Sequence, residues 1–463
     1  MKKQTLLILG ATGDLTARLL LPGLGALVAS GGGEQLLLVG SAEASLDDDR
    51  WRQRVADAFA AADARGTQVD AVVRGARYLK ADVTVEDDLR RLLAACQGRV
   101  AIFFALPPAV TLRACQALAG IELPEHTRLV LEKPFGTDAA SAAALNDLLA
   151  RLVPEDQVYR VDHYLGMSTV LNIVGLRFAN RMLESVLNGE HVDSIDIVFD
   201  ETLALEGRAG YYDRAGALVD MIQSHSLQVL ALLAMDAPST LQARDVRDAT
   251  TAVLRATRVW GDDPAAWSRR ARYTAGEIDG RALPSYVDEE GVDPDRNTET
   301  LAEVVLAVNT WRWAGVPFRV RAGKALRGLR KEAVITFKQP PWVPVGLAGY
   351  DRPDRLRIGF DPDWLRLDVN INGPGDPSVV DPLTLEAGLD PGDLPPYGQV
   401  LRGVFEGDPT LSVRGDTAVE CWRIVEPVLS AWRDDRVPLR EYPAGSAVSD
   451  AAIPVPPAPW SSR

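Results

Sequence analysis

The octet Arg160-Val-Asp-His-Tyr-Leu-Gly-Met167 holds the side chains of this sequence best suited to chemistry. Within it Asp162, His163 and Tyr164 stand in succession, and these side-chain types can orient a ligand, carry a proton and donate hydrogen bonds. Only four histidines occur among the 463 residues, so one inside such a cluster stands out. The alternative is a structural role, because buried Asp and His pairs also close the ends of strands.

A second pair of candidate residues lies on a predicted helix. The apolar pattern predicts this helix from about Leu218 to Ala234, and it carries Asp220 and His225. In an α-helix, residues five apart lie about 140° from each other around the axis. We therefore expect the carboxylate and the imidazole to flank a groove, where both can meet one ligand without stacking on each other.

The beginning of the chain predicts a nucleotide site. An apolar run over 5–9, typical of a central parallel strand, leads directly into a glycine turn and a helix predicted over 15–30. The glycines would let the backbone approach a pyrophosphate, whose charge the helix amides favour. The spacing lacks the fuller dinucleotide fingerprint, so a tight turn without a ligand remains an alternative. The candidate cofactor residues of this turn are Gly10, Thr12, Gly13, Asp14 and Leu15.

The end of the second predicted strand, 35–39, bears on which dinucleotide would bind. Glu43 follows that strand, where the adenosine ribose of a dinucleotide would lie. A carboxylate there accepts hydrogen bonds from the ribose hydroxyls and repels a 2′-phosphate, so NAD is favoured and NADP is possible. Three aspartates follow at 47–49, where they suit the first turn of a helix predicted over 51–62.

Two further strand ends complete this edge of the predicted sheet. The apolar strand 100–106 ends in Leu106, Pro107 and Pro108, which can continue neither a ladder nor a helix and so form a rigid turn. The strand 128–131 leads into Glu-Lys-Pro-Phe-Gly, where Lys133 can serve cofactor or substrate. Its alternative is an exposed loop lysine.

Composition narrows the class of protein. The net charge of −14 and the pI near 4.9 argue against binding to nucleic acid or an anionic membrane surface. No apolar run approaches the roughly 18 residues of a membrane span, and no targeting segment is recognised, so we expect a cytoplasmic protein. The cysteines, Cys96, Cys115 and Cys421, show no disulfide framework and no metal-ligand spacing, so we expect reduced thiols and no metal site.

The order of elements predicts two domains, as the length also does. Residues 1–160 alternate strands and helices, which is typical of a dinucleotide-binding Rossmann domain with a doubly wound parallel sheet. Residues 161–463 contain successive strands and predict an α+β domain for substrate binding and oligomerisation, built on a large, mostly antiparallel sheet. Within it, 391–398 is predicted as a loop, and a late helix over 418–432.

Taken together, these motifs resemble glucose-6-phosphate dehydrogenases over nearly the whole chain. The resemblance implies the Rossmann and antiparallel-sheet domains, and homodimers or homotetramers. The matching stretches are Gly10-Ala-Thr-Gly-Asp-Leu, Ala105-Leu-Pro-Pro, Glu132-Lys-Pro-Phe-Gly, Arg160-Val-Asp-His-Tyr-Leu-Gly, Glu206-Gly-Arg-Ala-Gly-Tyr-Tyr-Asp, Asn309-Thr-Trp-Arg-Trp-Ala-Gly-Val-Pro-Phe with Ala322-Gly-Lys324, and Gly407-Asp-Pro-Thr-Leu.

The resemblance also implies roles for single residues. His225 matches the general base that takes the proton of the anomeric hydroxyl while hydride leaves for the nicotinamide, and Asp162 matches the carboxylate that orients it. His163 and Tyr164 match positions that contact the sugar phosphate. The positions that contact the sugar itself are matched by Lys133, Glu201, Asp220 and Lys324.

Two departures from the family pattern concern specificity. Glu43 stands where NADP-dependent members carry an arginine, which reverses the charge met by a 2′-phosphate. Met167 stands where the octet of the family ends in a phosphate-binding lysine. Loss of one charge-assisted hydrogen bond costs about 1.5 to 3 kcal/mol, or roughly 10- to 150-fold in affinity, so weaker phosphate binding is predicted.

Three hypotheses follow. The first is an NAD-preferring dehydrogenase that oxidises the anomeric carbon of glucose 6-phosphate, or of a close hexose relative, to the lactone. The second keeps this chemistry for a non-phosphorylated or sulfonated hexose, which Met167 and Ser224 could accommodate. The third is a non-catalytic paralogue that uses the fold for binding or assembly, and the retention of His225, Asp162, Glu201 and Asp220 argues against it.

Overall fold

The computed structural model describes residues 3–33, 35–373, 375–390 and 392–447. The chain forms two compact units, and each is made of three separate stretches. The first contains Met1–Met167, Pro238–Asp248 and Gly392–Glu420, and the second contains Ser168–Ala237, Ala249–Pro391 and Cys421–Arg463. Three stretches of the predicted second domain, 161–463, thus belong to the first unit, namely 161–167, 238–248 and 392–420. The assignment of residues 1–160 to the dinucleotide and 161–463 to the substrate stays a prediction.

The first unit contains the predicted doubly wound parallel sheet, extended by one antiparallel strand. Its order is β18-β6-β5-β4-β1-β2-β3, with β18 alone running against its neighbour. Because β1 is buried on both faces, its sequence is apolar without alternation. The strands are β1 Gln4–Leu9, β2 Leu36–Ala42, β3 Arg77–Lys80, β4 Arg99–Phe104, β5 Arg128–Glu132, β6 Val158–Val161 and β18 Ser412–Val413.

Helices of the first unit bury their apolar faces in one core, which includes Trp51, Phe59 and Phe103. A π-helical turn, Thr16–Leu20, precedes the first of them. The α-helices are α1 Leu21–Ala29, α2 Asp48–Ala61, α3 Thr67–Gly75, α4 Glu86–Ala94, α5 Pro108–Leu118, α6 Ala139–Leu152 and α12 Pro396–Glu406; α11 Ala243–Ala256 and α13 Gly415–Arg433 belong partly to this unit.

Helix α12 occupies part of a segment that was predicted as a loop. The prediction for 391–398 is wrong from Pro396 onward, and Pro391 lies outside the described residues. Prolines suggested a break, yet proline suits the first turn of a helix, where its missing N–H has no partner to lose. Helix α12 then packs closely on α1, because a Cβ on Gly23 would lie 2.8 Å from the nitrogen of Gly398.

The second unit is built on a ten-stranded, mostly antiparallel sheet, as predicted. Its order is β17-β16-β15-β14-β7-β13-β12-β9-β19, with β8 also paired to β12, and only β7 with β13 and β9 with β19 are parallel. The strands are β7 Val192–Asp200, β8 Thr257–Val259, β9 Ser268–Thr274, β12 Leu301–Val308, β13 Pro317–Gly323, β14 Arg330–Phe337, β15 Arg355–Phe360, β16 Asp363–Asn372, β17 Val380–Gly388 and β19 Leu439–Pro443; a separate hairpin joins β10 Gly276–Ile278 and β11 Arg281–Leu283.

One long helical run crosses the second unit. It is longer than the predicted 218–234, since it begins as α9 Ala209–Ala217, continues as a π-helix over Leu218–Ser226 and ends as α10 Leu227–Ala234. Its length and composition would allow it to cross a membrane, but 83% of its apolar window is buried inside the protein, as in a core helix. Two shorter helices, α7 Ser168–Phe178 and α8 Arg181–Glu184, precede it.

The three cysteines are free thiols, as predicted. Cys115 and Cys421 are buried and Cys96 is half-buried. Burial raises the pKa of the Cys96 and Cys115 thiols to about 12, which keeps them protonated at neutral pH. They are packing residues in an interior that favours the neutral form.

Candidate active site

The glycine turn after β1 has the geometry that a bound pyrophosphate requires. Gly10 has a φ of +90°, and a Cβ there would lie 2.1 Å from the carbonyl oxygen of Ala105, so only glycine fits. The amides of Gly10 and Ala11 donate to the carbonyl of Ser41 at 2.8 and 3.0 Å, and the Thr16 hydroxyl donates to the Gly10 carbonyl at 3.1 Å. These bonds hold the turn open at the end of the strand.

The remaining residues of the turn lie where the helical segment begins. Thr12 and Leu15 are half-buried, whereas Gly13 and Asp14 are exposed. Asp14 makes an exposed 3.5 Å ion pair with Arg18, so this end of the turn is accessible to a ligand. The turn is therefore suited to the phosphates of a dinucleotide, because glycine at position 10 and the exposed Gly13 leave its backbone accessible.

Neighbouring strands end beside this turn. In the ladder Leu9 pairs with Phe104, and Phe104 pairs with Leu131, so Leu106, Pro107 and Lys133 follow at the same edge of the sheet. The carboxyl edge of a parallel sheet is the usual place for a nucleotide. The structure thus brings together the cofactor residues predicted on β1, β4 and β5.

The loop after β2 is held in place by a hydrogen bond from Tyr78. The Tyr78 hydroxyl donates to the carbonyl of Ala44 at 2.6 Å, and Glu43 beside it is exposed. The Asp47 carboxylate accepts from the amide of Arg50 at 2.8 Å and caps α2, while Asp48 lies in the first helical turn. The aspartates therefore stabilise the start of the helix, as predicted, and Glu43 is an exposed carboxylate at the end of the strand.

The octet begins in a buried strand and ends in a tight turn. Asp162 is 1% exposed, and its Oδ1 accepts from the amide of Tyr164 at 3.1 Å to cap the turn His163–Gly166. Asp162 therefore has a structural role, for which it uses the oxygen Oδ1. Tyr164 is buried, whereas His163 and Met167 are half-buried.

Arg160 anchors the strand from which the octet emerges. Its side chain is fully buried and donates to Glu155 Oε1 and to Asn146 Oδ1, both at 2.8 Å. The Arg160 amide donates to the hydroxyl of Ser412 at 2.8 Å. Glu155 Oε1 also accepts from Arg247 at 3.1 Å. This network fixes β6 and the start of the octet, because a buried guanidinium is stable only when it is paired.

Two residues near the octet and Lys133, namely Tyr397 and Glu132, were not predicted as site residues. The ring of Tyr397, on α12, stacks on His163 with centroids 5.8 Å apart and planes within 14°. Burial raises the pKa of Glu132 to about 7, against the effect of a hydrogen bond from Tyr397 and of the nearby Lys133 ammonium; the neighbouring Asp162 raises it further. Tyr397 stands in no local motif, so no sequence signal could have placed it beside the octet.

In the second unit, Asp220 and His225 both lie on the π-helical segment. His225 is 1% exposed and Asp220 is half-buried. In a π-helix each N–H bonds the carbonyl five residues earlier, so residues five apart are about one turn apart. The separation of 140°, which assumed an α-helix, is therefore wrong for this segment. Such π-helical segments are frequent at functional sites.

Glu201 and Lys324 are neighbours, although 123 residues separate them in the chain. The Lys324 ammonium donates to Glu201 Oε2 at 2.8 Å and lies 5.2 Å from the ring centre of Tyr212. The Lys331 ammonium is 3.7 Å from Glu201 Oε1. The side chains of Glu201 and Lys324 are 17% and 14% exposed, so a ligand can reach a charged pair that is already oriented.

A cavity of about 470 Å³ in the second unit lies elsewhere on the sheet. Its wall includes Arg319 and Arg321, which are paired with Asp196 and Asp200. None of the predicted site residues lines it. The conspicuous cavity is therefore distinct from the groups suited to sugar chemistry.

Comparison with known proteins decides the family. The model described as "Glucose-6-phosphate dehydrogenase, NAD binding domain" matches residues 7–172. The model described as "Glucose-6-phosphate dehydrogenase, C-terminal domain" matches residues 174–455. The chain belongs to the glucose-6-phosphate dehydrogenase family. Its predicted fold class, a Rossmann domain with a large antiparallel-sheet domain, is thereby confirmed.

Relatives extend the match over the full length. The glucose-6-phosphate 1-dehydrogenase of Gluconobacter oxydans is 40% identical over 462 residues, covering 95% of this chain and 93% of the relative. A crystal structure of the Mycobacterium avium glucose-6-phosphate 1-dehydrogenase has a TM-score of 0.83 at 31% identity and covers 96% of this chain and 94% of its own. A glucose-6-phosphate dehydrogenase solved with glucose 6-phosphate also has a TM-score of 0.83, at 28% identity, over 97% and 96% of the two chains.

The residues that the resemblance to the glucose-6-phosphate dehydrogenase family predicts as site residues are distributed over both units. The first unit carries Lys133, Asp162 and His163 at the sheet edge, and the second carries Glu201, Asp220, His225 and Lys324. Asp162 and His225 belong to different units, and their pairing stays a prediction.

Proposed function

We propose that this chain oxidises the anomeric carbon of glucose 6-phosphate and transfers hydride to NAD(P), giving the lactone. The observation that carries the proposal is family membership over nearly the whole chain. The enzyme is an NAD(P)-dependent oxidoreductase acting on a sugar CH–OH group. Its product places it at the entry to the pentose phosphate pathway.

His225 is the proposed general base. The nicotinamide, when bound, accepts the hydride that leaves the anomeric carbon. The imidazole takes the proton of the anomeric hydroxyl as the carbonyl forms, so that one hydride and one proton leave the sugar. His225 is 1% exposed, and this burial excludes water that would compete for the proton.

Asp162 is the proposed partner of His225. A carboxylate that accepts from the imidazole N–H fixes the tautomer and stabilises the imidazolium that forms. Asp162 is buried and fixed by the turn it caps, so its carboxylate enters such a pair already oriented. This role rests on the family motif, and it predicts that removal of either partner affects the same chemical step.

The sugar is proposed to contact four charged side chains. Lys133 and Asp220 would bind its hydroxyls, together with the Glu201 and Lys324 pair, whose oxygen and nitrogen atoms offer an acceptor and a donor 2.8 Å apart. His163 and Tyr164 would bind the phosphate. Met167 offers no charge to it, so we expect weaker phosphate binding than a lysine would give, by roughly 10- to 150-fold.

NAD is the proposed preferred cofactor, with NADP possible. The exposed Glu43 at the end of β2 supports this proposal, since its charge would repel a 2′-phosphate and its oxygens can accept from ribose hydroxyls. Gly10, Thr12, Gly13, Asp14 and Leu15 would surround the phosphates, and Leu106, Pro107 and Lys133 the nicotinamide side.

A cytoplasmic homodimer or homotetramer is the proposed state of the protein, on the resemblance to the family and on the free thiols. A second candidate function keeps the chemistry and changes the substrate. The replacement at Met167 favours it, because a hexose without a phosphate, or with a sulfonate, has less need of a lysine there.

One assay separates these functions. The formation of NADH and NADPH is followed at 340 nm with glucose 6-phosphate, glucose and a 6-sulfonated glucose. We expect the highest kcat/KM with glucose 6-phosphate and NAD. Higher kcat/KM with an unphosphorylated or sulfonated hexose would establish the second function, and inertness of the folded protein with every pair would contradict both.

A variant tests the base. His225→Asn should keep cofactor affinity and lower kcat by about 10²- to 10⁴-fold, which is the usual contribution of a general base. His191→Asn is the matched control, since His191 is an exposed histidine of the same unit. Normal turnover by His225→Asn would refute the mechanism.

A further inference from the structure

Glu299 is a buried carboxylate in the second unit, just before β12, with no place in the proposed chemistry. It is 7% exposed, and its Oε1 accepts from the backbone amide of Leu218 at 3.0 Å. Its own carbonyl oxygen accepts from the amide of Ala217 at 3.2 Å. Both bonds reach the residues at which the π-helical segment of Asp220 and His225 begins.

The backbone at this point needs an external acceptor. Gly216 breaks the helical run, with φ 65° and ψ 176°, so the amides that follow it are no longer satisfied within the preceding helix. A carboxylate that accepts from such amides also opposes the positive end of the helix dipole. Glu299 therefore caps the segment from a different part of the chain.

The glycine and the carboxylate are matched in space. A Cβ on Gly216 would lie 2.3 Å from Glu299 Oε1, so any larger residue would displace the carboxylate or the helix. The positive φ of Gly216 also favours glycine. The close approach and the backbone conformation thus serve the same hydrogen bond.

The residues on either side of Glu299 hold two further parts of the second unit. The Thr298 hydroxyl donates to the carbonyl of Asp213 on α9 at 2.6 Å. The Thr300 carbonyl accepts from the amide of Lys324 at 2.9 Å, and the Thr300 hydroxyl bonds the Tyr442 hydroxyl at 2.7 Å. Three consecutive buried residues therefore connect α9, the π-helical segment and the lysine that pairs with Glu201.

We infer that Glu299 is a positioning residue for the reaction: by capping the π-helical segment, it fixes Asp220 and His225 relative to Lys324. Asp220 lies two residues after the capped amide, so a change at Glu299 moves the sugar contact as well as the base. The inference rests on the proposed function for the roles of these residues. The cap itself does not depend on it.

The test uses Glu299→Leu and Glu299→Gln in the full-length protein. At pH 8, where the Glu299 carboxyl with its pKa of about 7 is mostly ionised, loss of this charged acceptor should lower kcat/KM for glucose 6-phosphate by about 10- to 150-fold in the leucine variant, through both kcat and KM. The KM for NAD should stay within about twofold, because the cofactor residues lie on the first unit. The glutamine variant keeps an oxygen acceptor, so its kcat/KM should stay within about threefold of the wild type.

Glu332→Leu is the matched control. Glu332 is 1% exposed on β14 of the same sheet, and it pairs with Arg330 and Arg357. We expect Glu332→Leu to lower the free energy of unfolding without the loss in kcat/KM for glucose 6-phosphate. Should Glu299→Leu not fold, Gly216→Ala displaces the same carboxylate and should give the same pattern.

Amide hydrogen exchange provides a readout that needs no activity. We expect faster exchange over 217–226 in Glu299→Leu and no such change in Glu332→Leu. A wild-type protein that oxidises no hexose would refute the proposed function and leave this measurement valid. Unchanged exchange and kinetics in Glu299→Leu, or a loss in Glu299→Gln as large as in the leucine variant, would overturn the inference.

Discussion

His163 and Tyr397 stack ring on ring, with centroids 5.8 Å apart and planes within 14°, although 234 residues separate them in the chain. The stack fixes the plane of the imidazole that is proposed to bind the phosphate. The Tyr397 hydroxyl also bonds the buried Glu132 carboxyl, so the stacked ring is itself held in place. A residue on α12 thereby sets the orientation of a residue in the octet.

Removal of the stacked ring should weaken substrate binding. Stacked aromatic pairs contribute about 0.5 to 1.5 kcal/mol beyond their buried area, so we expect Tyr397→Leu to raise the KM for glucose 6-phosphate by about 2- to 13-fold. Tyr397→Phe keeps the stack and loses the hydroxyl, and it should stay closer to the wild type. Steady-state kinetics with both variants decide the matter; an equal KM in Tyr397→Leu and wild type would show that the stack is without effect.

Restoring a lysine in the octet should favour the phosphate ester. For Met167→Lys we expect the ratio of kcat/KM for glucose 6-phosphate to that for glucose to rise by roughly 10- to 150-fold, the value of one charge-assisted hydrogen bond. Met182→Lys is the matched control, because Met182 is a methionine of the second unit that is 72% exposed. A similar ratio in the two variants would contradict a role of position 167 in phosphate binding.

Reversal of the charge after β2 should change the cofactor preference. In Glu43→Arg, a guanidinium would face the 2′-phosphate, and we expect the ratio of kcat/KM for NADP to that for NAD to rise by at least about tenfold. Asp49→Arg is the matched control, because it introduces the same charge change at the second residue of α2, where the side chain is 92% exposed. Preference for NADP in the wild type, or equal shifts in both variants, would argue against Glu43 as the determinant.

The carboxyl group of Glu132, which is buried although the residue as a whole is half-buried, should make stability depend on pH. Burial raises its pKa from 4.5 to about 7, and the groups that face it are Tyr397, Lys133 and Asp162. Between these two values the folded protein holds a proton that the unfolded chain releases, so the contribution of Glu132 to the free energy of unfolding is lost as pH rises. The loss amounts to roughly 3 kcal/mol at most.

Glu132→Gln should remove this dependence. We expect the free energy of unfolding of the variant, relative to the wild type, to be higher at pH 8 than at pH 5, as measured by urea denaturation at both values. Glu125→Gln, at an exposed glutamate of the same unit, should show no such change. A constant difference between Glu132→Gln and wild type at the two pH values would refute the expectation. Glu299, whose pKa burial also raises to about 7 beside Arg270 and Tyr212, should act in the same sense.

Local motifs were enough to predict where in the fold several of the proposed cofactor residues lie. Gly10 follows a buried strand and must be glycine, and Lys133 stands directly after another strand, so order along the chain was enough to place both. Parallel strands bring their carboxyl ends together at one edge of the sheet, so a motif that directly follows such a strand is expected at that edge. The late helix predicted over 418–432 likewise lies close to its place in the structure, where α13 spans Gly415–Arg433.

What the sequence did not reveal depends on long-range contacts. Tyr397 and Glu299 act on residues 234 and 81 positions away, and no periodic pattern encodes such a partner. The π-helical segment was missed because its apolar pattern resembles that of an α-helix, and the kink at Gly216 that precedes it depends on the close carboxylate. The start of α12 was hidden by prolines that suit both a loop and a first helical turn.

Because α12 belongs to the first unit, the core of this unit can be completed only late in synthesis. Leu401 and Val404 belong to the same core as β1, yet the ribosome makes them after the stretch 249–391, which belongs to the second unit. A nascent chain that ends at residue 167 therefore exposes the surface of α1 around Gly23, which α12 covers in the finished protein. The first unit therefore cannot complete its fold before most of the second unit has been synthesised, as it would in vectorial folding of one domain after another from the N-terminus.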